Sequence, residues 1–510
     1  MSSTNRLAKN ALSLNIRMIV TLFISLYTSR VILRTLGVED FGLYNLVGGF
    51  VALLGILTSA ITGTSVRFIT YELGTGNEDK LRRTFSTILT VLLLFAIGIA
   101  ILGAVIGPWF IRSQLNIPYE KLGDAYFVYY CSLFVFVMDM YALPYTSLVM
   151  AYEKMGFYAI MGMFVSVGKL VIVLVLPFFG SNALRLYAFL LVIIAIIDRF
   201  GYGLYCKCCF KNVKNKFLLD REILKKIFSF SIWIGIGTAA GILKDQGGNI
   251  LVNIFFGLVY NAALGIANQI MALVSQFGSN IGVPFNPQIT KEFASGNTDK
   301  AIKLTWEQVK FQGVIMLLIA VPLLCETHYL LYLWLGTFPD YTVLFVRLMI
   351  ILCIISTLAQ GYGALYLANG DIKKYQIFST FVMLLYIPVC YVLLHFIHKP
   401  ELCLWVSIFL QSFFLLANFL YLSKKVCFPV VAFFIRVIFR LFFISCIALF
   451  LGYLMHLILR EETFCRLLLV GILGMFSVGG FSYFYLLDMS EKKWIKNIMF
   501  SKLYFMRKWI

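Results

Sequence analysis

The sequence predicts an all-α integral membrane protein: about fourteen transmembrane helices, in two six-helix lobes that form a parallel repeat, plus two C-terminal helices. Three observations support this prediction. The 510 residues are 61% hydrophobic and only 13% charged. Long apolar segments recur along the whole chain, and one loop sequence occurs twice. A soluble fold needs more polar surface than this composition supplies, so we expect the bilayer to be the solvent.

Fourteen segments have the composition of a membrane span. A helix needs roughly 20 mainly apolar residues to cross the hydrocarbon core. The segments are 14–34, 41–66, 84–111, 124–149, 155–178, 186–206, 231–254, the second part of 246–290, 310–333, 348–370, 375–398, 402–423, 441–459 and 467–487. The first is predicted to be a retained span, because no small-residue cleavage pattern follows it.

The net charge of +19 is explained by the distribution of Lys and Arg between alternate loops. Most of these residues fall in loops on the same side as the N-terminus. The opposite side holds only Arg34, Arg112, Lys121, Arg185, Lys399, Arg460 and Arg466. Because cytoplasmic loops carry the excess of positive charge, both termini are predicted to be cytoplasmic. No nucleic-acid partner is needed to explain the basic residues.

An internal duplication gives the predicted organisation. The segment Ile69–Lys80 and the segment Ile289–Lys300 share most of their residues at an offset of 220 without a gap. The same offset places Gly37 on Gly257. The repeat unit is six spans, so both copies enter the membrane in the same direction, as in transporters whose substrate path lies between two such halves.

The predicted domains follow from this repeat. They are an N-terminal six-helix lobe (1–215), a C-terminal six-helix lobe (216–430), two additional transmembrane helices (431–488) and a basic amphipathic cytoplasmic tail (489–510).

Two motifs carry a family resemblance. The turn Gly37-Val-Glu-Asp-Phe-Gly-Leu-Tyr44 and the Gly-Asn-x-Asp-Lys loop of each half resemble the polysaccharide-transporter branch of the multidrug/oligosaccharidyl-lipid/polysaccharide exporter superfamily. This branch contains the Wzx-type O-antigen and capsule flippases. The resemblance implies an alternating-access transporter in a bacterial inner membrane that moves undecaprenyl-diphosphate-linked oligosaccharide to the periplasmic leaflet, for lipopolysaccharide, capsule or exopolysaccharide biosynthesis. It also implies membrane lipids and the polysaccharide biosynthesis machinery as partners. No cofactor, metal or catalytic residue is predicted.

Three cations are the predicted ligands of the diphosphate: Lys244, Arg30 and Arg17. The repeat offset maps Lys244 onto Ile24, near the middle of the first span, where a charge is costly and calls for a reason. A phosphate in hydrocarbon needs cationic donors. Arg17 and Arg30 lie toward opposite ends of the first span and could instead snorkel to the interfaces. The resemblance favours them, because it implies cavity cations on the first, second, seventh and eighth helices.

The eighth span predicts a sugar-binding face. Gln269, Gln276 and Asn280 recur at spacings of seven and four and so share one side of a helix. Amides suit sugar hydroxyls, but polar side chains also join helices to each other in membranes. The residues leave both interpretations open.

Two carboxylates inside spans, Asp245 and Asp139, are the predicted ion-coupling groups, because a buried carboxylate can take up and release a proton. The alternative is a structural ion pair, for example between Lys169 and Asp139.

Two other function classes compete with a flippase. An ion-coupled multidrug or metabolite exporter of the same superfamily would be expected to have more acids than bases in its interior, whereas bases predominate here. A membrane polysaccharide polymerase or glycosyltransferase would need a large loop with catalytic groups. No loop of that kind occurs between the predicted spans, so the chain is predicted not to be an enzyme.

Overall fold

The computed structural model describes residues 3–55, 65–66, 68–69, 72–73, 77–152, 154–179, 183–210, 218–282, 285–369, 372–489 and 491–492. The helices in these ranges are α1 (Ser3–Ala52), α2 (Glu78–Ser113), α3 (Leu122–Ala151), α4 (Met155–Val175), α5 (Ala183–Cys209), α6 (Arg221–Phe256), α7 (Leu258–Gly282), α8 (Phe285–Ala294), α9 (Thr298–Cys325), α10 (Thr327–Leu335), α11 (Thr342–Asn369), α12 (Ile372–Ile397), α13 (Leu402–Val426), α14 (Val430–Ile458) and α15 (Phe464–Leu486). No β-strand occurs in these ranges. Most of the predicted C-terminal tail lies outside the described residues.

The helices confirm the predicted all-α membrane fold. Helix α1 contains two helical segments joined at Gly37, and α8 and α10 are short. The remaining helices and the two segments of α1 give fourteen long helices in the described residues. Ten of the described helices are long and apolar enough to cross a membrane. The ninth predicted span begins earlier than expected and ends at Cys325, where Glu326 follows as the C-cap residue.

The residue pair equated by the repeat offset, Gly37 and Gly257, has nearly the same unusual backbone conformation. Gly37 has φ 77° and ψ 173°, and Gly257 has φ 85° and ψ −169°. Residues other than glycine rarely adopt this region of φ and ψ. Each glycine therefore forms the sharp turn between the first two spans of its half, which is structural support for the duplication.

The duplicated loop motif begins a helix in both copies. The Asn77 side chain accepts a hydrogen bond from the backbone N–H of Lys80 at 3.0 Å, as an N-cap does. Asn297 occupies the equivalent position before α9, but its amide donates to the Glu292 carboxylate at 3.0 Å. The motif thus directly precedes a helix in both halves, and its first copy supplies an N-cap hydrogen bond.

The chain forms two compact units. The first contains Met1–Gly265, Trp334–Thr342 and Ser379–Cys403, and the second contains Ile266–Leu333, Val343–Phe378 and Leu404–Ile510. The predicted lobe boundary between residues 215 and 216 stays a prediction.

In the first unit, α1 packs against both α6 and α7. Gly265 lies against Asn45, and a Cβ atom at residue 265 would be 2.8 Å from the Asn45 Cγ. The offset of 220 equates these two positions with each other.

The second unit holds α14 and α15 against α9. Buried side chains of α15, including Val470 and Val478, face this core, and Gly474 lies beside Val321 and Pro322 of α9. The two helices that the duplication does not account for are therefore integral to this unit.

Candidate charged sites inside the membrane

Lys244 lies in α6 and is half-buried. Its ammonium is 5.8 Å from the centre of the Tyr386 ring of α12, within the range of a cation–π contact. Among the described residues, no carboxylate lies within 4.0 Å of this ammonium in an ion pair. Asp245, the next residue, is exposed. The cation–π contact is the only contact of this ammonium that occurs among the described residues.

The position of Tyr386 depends on a glycine one turn after Lys244. A Cβ atom at Gly248 would be 2.7 Å from the Tyr386 hydroxyl oxygen, so only glycine leaves room for the ring. Tyr386 itself is 4% exposed. The buried ring therefore packs closely against α6 beside the ammonium, and sequence reasoning missed this contact because α6 and α12 are distant in sequence.

A second group of charges lines a cavity of about 340 Å³ in the first unit. The cavity is bounded by α1, α3, α4 and α5, and Asp139, Lys169, Asp198 and Arg199 are on its wall. The structure thus brings together four interior charges that come from three different helices.

Arg199 carries the ion pairs of this cavity. Its guanidinium is 2.5 Å from Asp139 and also pairs with Asp198. The structural pair that we considered for Asp139 therefore forms with Arg199, whereas Lys169 lines the same cavity. An Arg guanidinium can bind two carboxylates at once, whereas a Lys ammonium is a point charge. This difference is consistent with Arg199, rather than Lys169, as the partner of Asp139. Protonation of the Asp139 carboxylate would weaken its ion pair with Arg199.

Of the two arginines predicted on the first span, the structure describes the side chain of one. Arg30 is exposed on α1. The side chain of Arg17 lies outside the described residues, although its backbone belongs to α1. The role of both as diphosphate ligands stays a prediction.

The predicted amide face is partly described. Gln269 is half-buried and Gln276 is exposed on α7, and both have polar or electrostatic contacts. The side chain of Asn280 lies outside the described residues. On the neighbouring stripe, Asn261 is fully buried and donates to the Asn249 carbonyl and side-chain oxygens at 2.8 and 2.6 Å. Asn261 therefore joins α7 to α6.

A buried ion pair near the end of α9 was not anticipated from the sequence. Glu326 is 1% exposed, and both its oxygens accept hydrogen bonds from Arg466 of α15, at 3.0 and 2.9 Å. The His456 imidazole is 3.3 Å from the same carboxylate. The only sequence signal was an acid in the middle of the apolar run 314–335.

A second, partly buried network joins the middle of α9 to the segment after α15. The Lys310 ammonium is 2.8 Å from Asp488 and 3.1 Å from Glu491. The hydrogen bond from Lys310 lowers the pKa of the Asp488 carboxyl below its ordinary value. Both networks use their charges structurally, so neither offers a cation to a substrate.

The comparisons with known proteins agree with this fold. The family described as "Polysaccharide biosynthesis protein" matches residues 7–284, which is more than half of the chain. The chain belongs to this family. The membership confirms the polysaccharide-transporter resemblance that the two motifs predicted.

Individual relatives are distant. The uncharacterized membrane protein EpsK of Bacillus subtilis (strain 168) is 22% identical over 329 residues, which cover 62% of this chain and 63% of EpsK. The match thus spans less than two thirds of that relative's length. Lipid II flippase MurJ, in an inward closed conformation, has a TM-score of 0.67 at 14% identity, over 94% of this chain and 99% of MurJ.

An inward-facing multidrug resistance MATE family transporter of the MOP superfamily has a TM-score of 0.61 at 12% identity, over 81% of this chain and 94% of that protein. At these identities the similarity establishes the fold. The chain is a multi-pass membrane protein with the fold shared by MurJ and the MATE transporters.

Proposed function

We propose that this protein is a flippase that moves undecaprenyl-diphosphate-linked oligosaccharide from the cytoplasmic to the periplasmic leaflet by alternating access. The glycan serves O-antigen, capsule or exopolysaccharide biosynthesis. The protein lies in a bacterial inner membrane with both termini in the cytoplasm, beside the polysaccharide biosynthesis machinery. The family membership supports the class of substrate.

The observation that carries the proposal is that the Lys244 ammonium forms no ion pair among the described residues. Hydrocarbon cannot solvate a diphosphate, so a path for this group needs a cation with unused donors inside the membrane. Lys244 has no ion pair among the described residues, and Tyr386 supports its ammonium from one side. The Arg199 guanidinium is different, because two carboxylates already occupy it. Arg30 and Arg17 complete the cationic set.

The amides of α7 serve the sugar in this proposal. Gln269 and Gln276 lie seven residues apart on one face of the helix, as expected of a face that donates to and accepts from hydroxyl groups. Asn280 is the third amide that the sequence spacing predicts for this face.

Two carboxylates, Asp139 and Asp245, are the candidates for ion coupling. Protonation of Asp139 would release Arg199 from one of its two ion pairs and leave it with Asp198. A change of partner of this kind couples proton uptake to the packing of α3 against α5. Asp245 is the acid nearest in sequence to Lys244, so its protonation state changes the net charge beside the diphosphate ligand.

Reconstitution in liposomes tests the substrate. The protein is placed in vesicles that contain an undecaprenyl-diphosphate-linked oligosaccharide in one leaflet, and appearance of the glycan in the other leaflet is measured. Lys244→Ala is expected to slow translocation about tenfold to hundredfold, because a hydrogen bond to a charged group contributes about 1.5–3 kcal/mol. Lys244→Arg keeps the charge and is expected to retain more activity than Lys244→Ala.

Lys399→Ala is the matched control, because Lys399 is exposed at the end of α12. It should translocate at the wild-type rate. Undiminished translocation by Lys244→Ala would contradict the role of this residue. Export of cationic dyes without translocation of any glycan would favour the multidrug or metabolite exporter instead.

A further inference from the structure

The ends of α14 and α15 that lie near residues 436 and 486 form an exposed surface of cations and aromatic rings. We call it the C-terminal cationic surface and define it by Arg436, Arg440, Tyr483, Tyr485 and Lys492. Arg436 lies in the π-helical turn Phe434–Ile438, and both tyrosines lie in the π-helical turn Ser482–Leu486. Such turns are frequent at functional sites.

Arg440 is held in place by two contacts, and its side chain donates no other hydrogen bond within the part of the chain that the structure describes. Its Nη1 donates to the Tyr485 carbonyl oxygen at 2.8 Å, and its Cζ is 5.0 Å from the centre of the Tyr485 ring. An arginine side chain has five N–H donors. The carbonyl occupies one of them, and the ring fixes the plane of the guanidinium.

Lys492 is held in the same manner. Its ammonium is 5.5 Å from the centre of the Tyr483 ring and 3.4 Å from the Phe484 carbonyl oxygen. The last carbonyls of a helix lack partners within the helix, so both cations also complete the end of α15. Their positions are therefore fixed before any ligand arrives.

Two acids near this surface form ion pairs with a cation outside it. Asp488 and Glu491 both bind the Lys310 ammonium, at 2.8 and 3.1 Å. Glu491 is 5% exposed, so of these two acids Asp488 is the one that faces solvent close to Arg440. Among these residues, Arg436, Arg440 and Lys492 outnumber the one exposed carboxylate.

The surroundings of the surface are apolar and exposed. Phe484 is 78% exposed, Phe439 is 58% exposed and Ile435 is 60% exposed. In a membrane protein such side chains lie against acyl chains, and aromatic residues with Arg and Lys mark the level of the headgroups. A ligand of this surface must be anionic at one end and apolar at the other.

We propose that the C-terminal cationic surface binds the phosphate of an anionic glycerophospholipid, with the guanidinium of Arg440 and the ammonium of Lys492 as the direct ligands. The acyl chains lie along the exposed Phe439 and Phe484 rings. A phosphate accepts several charge-assisted hydrogen bonds, which matches the unused donors. The proposal concerns a resident lipid and does not depend on the identity of the transported glycan.

Binding of defined lipids to the purified full-length protein tests this site. The protein in phosphatidylcholine nanodiscs is titrated with phosphatidylglycerol of the same chain length, and bound lipid is counted by native mass spectrometry. The variant Arg440→Gln/Lys492→Gln is expected to bind phosphatidylglycerol about fivefold more weakly for each charge removed. Arg440→Lys keeps the charge and should bind as the wild type does.

Four comparisons make the result specific. Arg460→Gln removes an exposed cation at the other end of α14 and should leave binding unchanged. Lys502→Gln/Lys508→Gln tests the basic tail, and a loss confined to this variant would overturn the proposal. Equal retention of phosphatidylcholine would also overturn it. Undecaprenyl phosphate that displaces phosphatidylglycerol preferentially would reassign the site to the substrate lipid.

Discussion

The replacement Arg466→Met gives the most direct test of how charges stabilise this fold. Glu326 is 1% exposed, and Arg466 is 3% exposed. Two hydrogen bonds join them, Nε to Oε1 at 3.0 Å and Nη2 to Oε2 at 2.9 Å. Methionine has a similar length and no charge, so the substitution removes the partner of Glu326 and preserves most of the volume.

The expected cost is about 3–5 kcal/mol in the free energy of unfolding, the range for removing one partner of a buried ion pair. Most of this cost is the desolvated charge that remains on Glu326, rather than the two lost hydrogen bonds. The His456 imidazole lies 3.3 Å from the same carboxylate, so this ring would face the unpaired charge directly.

Unfolding in mixed detergent micelles by increasing sodium dodecyl sulfate measures this difference. Arg460→Gln, an exposed cation in the same loop region, should change stability by less than about 0.5 kcal/mol. The double variant Glu326→Gln/Arg466→Met removes both charges and should recover much of the lost stability. A loss for Arg466→Met no larger than that of Arg460→Gln would refute the assignment of a buried pair.

Two further predictions concern the turns and the C-terminal network. Gly37→Ala and Gly257→Ala should each destabilise the protein by about 1–3 kcal/mol, because their backbone region is essentially restricted to glycine. Gly98→Ala, in the middle of α2 with open space around it, should be neutral or stabilising in the same unfolding assay. Folding lowers the pKa of the Asp488 carboxyl. Its contact with Lys310 therefore contributes fully to the free energy of unfolding at pH values above the pKa of this carboxyl in the unfolded chain. That contribution is lost as pH falls through the pKa of the same carboxyl in the folded protein. Asp488→Asn should therefore be less stable than the wild type at pH 7 and equal to it at strongly acidic pH in thermal unfolding, and a constant difference would contradict this.

Features that depend on local sequence were predictable. The spans follow from apolar length, which is a property of each segment alone. The turn at Gly257 followed from Gly37 through the repeat offset, because a duplicated sequence repeats its backbone requirements. The family resemblance also depended on short contiguous motifs.

Features that depend on packing between distant helices were not predictable. The repeat predicts a deep position for Lys244, but its contact with Tyr386 depends on how α6 meets α12. The pairing of Arg199 with Asp139 required the crossing of α5 with α3. One sequence identifies a charge inside a span but not its partner, because the candidate partners lie on every neighbouring helix.

The two ion-pair networks make the second unit depend on the last two helices. Lys310 lies in α9 and Glu326 directly follows this helix, yet their counter-charges come from beyond residue 455. Without α14 and α15 both side chains would lose these partners, and a buried charge without its partner is strongly destabilising. Truncation after residue 430 should therefore yield an unstable protein rather than a minimal transporter.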